Sequence, residues 1–90
     1  MNEAPCQVAV APGARRTLQR LPEKIAAACV EFILGPLAEN PHRIGKPLMG
    51  PLGGWHSTRR GAYRVVYRTD DAARRIDVAR IDHRADVYHA

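Results

Sequence analysis

Ninety residues with a 46% hydrophobic share suffice for one modest core, which excludes both a multidomain assembly and an intrinsically disordered chain. The net charge of +5 lies wholly in residues 43–90, where ten Lys and Arg face five Asp, whereas residues 1–42 balance four against four. A basic half on a small domain is the footprint of a polyanion or acidic-protein binder, and an apolar run no longer than Ile25 to Val30 excludes a membrane-spanning helix.

Met1 to Pro5 hold neither a basic nor an apolar signal region, so the cytoplasm is the expected compartment. Cys6 to Ala11 alternate and predict a first strand, stopped by Pro12-Gly13. Ala14, Leu18 and Leu21 then share one face of a short helix, with Arg15, Arg16, Gln19 and Arg20 outside it. Pro22 drives Leu21 out of the α region and ends that helix. A second helix follows, with apolar residues 25, 26, 29, 30, 33, 34 and 37 at helical period; Gly35-Pro36 closes it, with one more turn to Glu39 left open. Cys6 and Cys29 fall on apolar faces and read as small core residues with no call for a disulfide.

Residues 40–54 are rich in Pro and Gly and predict a loop, with Lys46-Pro47-Leu48 briefly extended. Trp55 to Arg59, Ala62 to Thr69 and Arg75 to Asp82 predict three further strands, the last two joined by a turn at 70–73. In the Tyr63 to Arg68 stretch, period-two alternation puts Tyr63, Val65 and Tyr67 on a core face and Arg64, Val66 and Arg68 on the other. The order β-α-α-β-β-β implies one α+β domain over residues 1–90. It has an N-terminal strand, a two-helix hairpin and a three-stranded antiparallel meander, the helices covering one face of an antiparallel sheet.

The helix break Leu18-Gln19-Arg20-Leu21-Pro22, Arg43-Ile44-Gly45-Lys46-Pro47-Leu48, Arg59-Arg60-Gly61-Ala62-Tyr63-Arg64-Val65-Val66-Tyr67 and His83-Arg84-Ala85-Asp86-Val87-Tyr88 resemble the RelE-type toxins of the RelE/ParE superfamily. The resemblance implies a RelE-like microbial ribonuclease-type fold and a toxin of a type II toxin–antitoxin system. It further implies metal-free cleavage of mRNA in the ribosomal A site, growth arrest, and no cofactor. The implied partners are a cognate acidic, partly disordered, RelB-like antitoxin, mRNA on the ribosome, and operator DNA through the antitoxin complex alone. Arg64 matches the family's phosphate-holding arginine, Arg59 the arginine ending the preceding strand, and Tyr88 the C-terminal tyrosine. Ser57 stands where many relatives carry a lysine.

Cleavage of RNA without metal needs a base for the 2′-OH, donors for the phosphorane and an acid for the 5′-oxygen. Arg59, Arg64 and Arg84 supply rigid donor forks that keep their charge. Tyr88 and His83 are the groups able to move protons, against the plainer readings of a tail anchor and a sheet-end histidine. Arg60, Arg68, Lys46 and Trp55 are candidate RNA-binding residues, Trp55 either stacking on a base or filling the core edge. His42, His56, His83 and His89 lack metal-ligand spacing, so no metal site is expected. Two alternatives remain open: a non-catalytic nucleic-acid- or antitoxin-binding module acting in operon repression, and a ParE-type gyrase inhibitor.

Overall fold

Three prolines and a run of alternating residues divide the chain into its elements. In the computed structural model, which describes residues 5–48 and 54–83, β1 spans Gln7–Val10, α1 Pro12–Arg20 and α2 Glu23–Phe32. A π-turn covers Ile33–Leu37; then come α3 (Pro41–Ile44), β2 (Lys46–Pro47), β3 (Trp55–Arg60), β4 (Tyr63–Asp70) and β5 (Arg75–His83). Pro12 opens α1 at a position where a missing N–H costs nothing. Leu21 at its end is extended, at φ −71° and ψ 150°, as a residue preceding proline must be.

The five strands form one sheet in the order β1-β5-β4-β3-β2. β2 to β5 pair antiparallel, but β1 runs parallel to β5, with Gln7 opposite Arg75 and Val10 opposite Val78. The sheet is therefore mixed, not antiparallel throughout as the element order implied. No tight turn ties β1 to its neighbour. The helices carry the chain across the sheet, and a crossover of that length allows parallel pairing.

The helical layer packs on one face. Tyr63, Val65, Tyr67, Ile76, Val78 and Ile81 meet Ala14, Cys29, Phe32, Ile33, Leu37 and Ala38 in a single core. Full burial of each large side chain contributes about 1.5–3 kcal/mol. The predicted alternation along β4 holds: Tyr63, Val65 and Tyr67 are buried, and Arg64 and Arg68 are exposed.

One helical expectation is resolved and another corrected. The chain takes the further turn toward Glu39 that the sequence left open, a π-turn carrying Pro36 through the helix. A wider turn relieves the clash between a proline ring and the preceding carbonyl. The buried stripe is also rotated, because Phe32 takes the core while Val30 and Leu34 stay 37% and 58% exposed. In α1, Thr17 joins Ala14 in the buried row, its hydroxyl donating to the Gly13 carbonyl at 3.2 Å.

The predicted loop at 40–54 contains α3 and β2. Their anchor is Tyr67, whose buried hydroxyl donates to the Pro41 carbonyl. Gly45 lies flat on that ring, where a Cβ would come within 1.9 Å of the Tyr67 oxygen. The β4–β5 turn sits one residue later than predicted, with Arg74 at φ 51° and the Asp70 carboxylate accepting from the Ala73 N–H at 3.0 Å.

Candidate functional site

The sheet face turned away from the helices is the candidate site, and β-register decides which side chains share it. Directly opposed residues of an antiparallel pair project to the same face. Arg59 of β3 is opposite Arg64 of β4, Ser57 is opposite Val66, and Trp55 is opposite Arg68. Lys46 of β2 is opposite Ser57, and the Leu48 N–H continues that ladder to the Trp55 carbonyl at 2.8 Å. On β5, a bulge skips Ala79, so that Val66 faces Arg80 and Arg64 faces Asp82.

Leu48, Trp55, Ser57, Arg64, Val66, Ala79, Arg80 and Asp82 line a groove of about 400 Å³ along this face. Its floor is apolar and its rim charged. Asp82 is held by Arg80 at 3.2 Å, and Asp77 by Arg75 at 3.1 Å and Arg68 at 3.9 Å. The Arg68 guanidinium also lies over the Trp55 ring, 5.1 Å from its centre. Among the described residues, no carboxylate comes within ion-pair distance of Arg59, Arg64 or Lys46.

The face thus gathers five of the site residues expected from sequence: Arg59, Arg64, Arg68, Lys46 and Trp55. Two others lie on the helical side. Arg60, opposite Tyr63, lays its guanidinium 4.8 Å over the Phe32 ring. His83 is likewise opposite Tyr63, behind the sheet from Arg64. Arg84 and Tyr88 lie outside the described residues. Ser57, Leu48, Val66, Arg80 and Asp82 were not singled out as groove residues. For Arg80 and Asp82 a signal existed, since the apolar spacing Ile76, Val78, Ile81 breaks its period of two where the bulge falls.

The tyrosines behind the sheet are poor proton donors. Burial pushes Tyr67 up to about 12, and burial followed by the neighbouring Cys29 raises Tyr63. Cys29 itself is pushed up to about 11 by burial, so it is no nucleophile. Cys6 and Cys29 are both free. His56 stacks on Tyr67 at 5.5 Å and meets the edge of His42 at 5.5 Å, and His42 reaches Asp71 at 2.8 Å. Among the described residues no three His, Cys, Asp or Glu gather as a metal cluster. No described helix is long and apolar enough to cross a membrane.

Residues 8–88 match the family model described as the ParE toxin of the type II toxin–antitoxin system parDE. The chain belongs to this family. Among its relatives, toxin RelE of Mycobacterium tuberculosis is 56% identical over 87 residues, covering 97% of this chain and 90% of that one. The toxin–antitoxin complex RelBE2 of Mycobacterium tuberculosis contains a chain that superposes with a TM-score of 0.86 at 47% identity, covering 90% of this chain and 100% of that one. A doubly substituted RelE toxin of E. coli in the free state shares the fold, with a TM-score of 0.68 at 17% identity over 96% of this chain and 93% of that one. The RelE-type resemblance of the motifs is therefore sound, and the chain is a toxin of a type II toxin–antitoxin system with a RelE-like fold.

Proposed function

We propose that this toxin is a metal-independent endoribonuclease that cleaves mRNA on the ribosome and is neutralised by a cognate antitoxin. One observation carries the reading. Arg59 and Arg64 stand directly opposite each other on the open face, with no carboxylate partner among the described residues. Like charges in that position repel and destabilise the sheet. A phosphate between them turns the repulsion into two charge-assisted hydrogen-bonded forks. A phosphorane, which carries more charge, gains more from the same pair, and such differential stabilisation is what lowers a barrier.

In this reading RNA lies along the sheet, with Trp55 and the apolar floor of Val66 taking a base and Arg68 a flanking phosphate. Arg84 and Tyr88 complete the constellation, Tyr88 taking the 2′-OH proton. His83 and Arg60 belong to the helical side and have no place in it. The antitoxin is an acidic, partly disordered segment that folds over the basic half, and the complex, not the toxin alone, binds operator DNA. The compartment is the cytoplasm, where ribosomes are.

A second reading is favoured by the same face, which among its described residues holds no histidine or tyrosine: a non-catalytic module retained for antitoxin binding. Primer extension on mRNA from programmed ribosomes separates the two. Cuts made by the wild type and lost in Arg64→Ala support cleavage; no cuts at any concentration would leave the binding module.

A further inference from the structure

On the nuclease reading, the described residues of the open face offer phosphate donors in excess and almost nothing that can part with a proton. Arginine does not deprotonate in proteins, and the aspartates Asp77 and Asp82 are tied to Arg75, Arg68 and Arg80. Buried Tyr63 and Tyr67, and the histidines His42, His56 and His83, are on the helical side. Lys46 is the exception among the described residues. It is exposed, it shares the open face with Ser57 by direct register, and no described carboxylate holds it.

From these placements we infer that Lys46 is a catalytic residue, the proton donor to the departing 5′-oxygen. Neighbouring strands lie about 4.8 Å apart, and two residues along a strand span about 7 Å. Lys46 is one strand and two residues from Arg59, which a four-carbon stem with a mobile ammonium can bridge. A phosphate held by Arg59 and Arg64 is then within its reach. The backbone at Lys46 is fixed on three sides. Gly45 before it lies against the Tyr67 ring, Tyr67 ties α3 through Pro41, and Leu48 after it bonds to Trp55.

The step balances within the substrate and solvent. The 2′-oxygen forms a bond to phosphorus and its proton passes to water or to a side chain acting as base. The P–O5′ bond breaks with its electron pair left on the 5′-oxygen. The Lys46 ammonium gives that oxygen a proton and regains one from water afterwards. No oxidant or metal enters the balance.

The inference rests on the nuclease reading, and the test separates their failures. An mRNA with sulfur in place of one bridging 5′-oxygen at the cut site departs as a thiolate and needs no acid. On programmed ribosomes, Lys46→Arg should slow cleavage of the oxygen substrate by about 10²-fold or more and fall within about tenfold of wild type on the sulfur substrate. Lys46→Gln should behave the same way, with melting curves for both variants overlying wild type. Equal rates for Lys46→Arg and wild type on the oxygen substrate would overturn the inference alone. So would an equal loss on both substrates, which would make Lys46 a phosphate holder. A wild type that cuts neither substrate sinks the nuclease reading, and the role of Lys46 with it.

Discussion

Arg64 and Arg59 stand opposite each other, and although Asp82 is in register with Arg64 on its other side, no described carboxylate pairs with either, so the pair leaves positive charge that an anion between them offsets. Arg64→Ala should therefore lower kcat by roughly 10²–10³, about 3–4 kcal/mol, as loss of one transition-state donor does. Its urea midpoint should stay at wild type or rise slightly, since exposed substitutions move stability by about 0.5 kcal/mol at most. An unfolded Arg64→Ala protein would mean that the guanidinium is part of the fold. Gly45 shows the reverse dependence, where space and not charge decides. A methyl there would stand 1.9 Å from the Tyr67 oxygen and 2.7 Å from the ring carbon bearing it. Gly45→Ala should thus cost about 1–3 kcal/mol in overpacking, measured by urea unfolding. Combining it with Tyr67→Phe should cost less than the sum of the two single changes, because the closest clashing atom is gone.

The elements divide into those the residue pattern dictates and those that packing decides. Phe32 is 4% exposed and Leu34 58%, although both belong to one apolar run. Phe32→Ala should cost about 3–5 kcal/mol and Leu34→Ala less than about 0.5 kcal/mol, a contrast that chemical denaturation of the two variants checks. From sequence, the stripe through 25, 29, 33 and 37 was legible because helical period alone marks it. Whether Phe32 or Leu34 continues it depends on how wide an arc the sheet covers, which no local pattern records. The faces of β4 were legible through the period of two set by Tyr63, Val65 and Tyr67 against Arg64 and Arg68, even though Val66 is apolar on the open face. The parallel pairing of β1 was not, since nothing in Gln7–Val10 specifies a partner 68 residues away. The sharing of one face by Lys46 and Ser57 was equally hidden, because a two-residue strand between glycines and prolines has no period to read. Buried acids in these elements also fix a response to alkali. Cys29, from 9.0 to about 11, and Tyr67, from 10.0 to about 12, both titrate later folded than unfolded. Between those limits the unfolded chain binds fewer protons, so stability is complete below about pH 9 and falls as pH rises toward 12. Urea unfolding from pH 8 to 11 should show that decline, and Tyr67→Phe should make it shallower above pH 10.

For the whole molecule, charge is segregated: the entire +5 belongs to residues 43–90, the half that forms the open face and its strands. An antitoxin that denies RNA this surface must bring opposite charge to it. Association should accordingly slow as salt rises from about 50 mM to about 500 mM, because attraction between exposed charges is screened within about 8–10 Å at ordinary ionic strength. A stopped-flow profile that stays flat would mean that the partner grips the neutral helical layer, where Val30 and Leu34 are exposed. The place of β1 beside β5 has a consequence for how the toxin comes into being. Synthesis runs from the N-terminus, and β1 emerges with no strand to join. Its partner begins at Arg75, so the sheet cannot close until 68 further residues have been made and β5 has cleared the exit tunnel. A ribosome making this protein holds an unfinished sheet all the way from β1 to β5. The arginine pair, set by the register of β3 and β4, gains its second flanking strand only when β5 arrives.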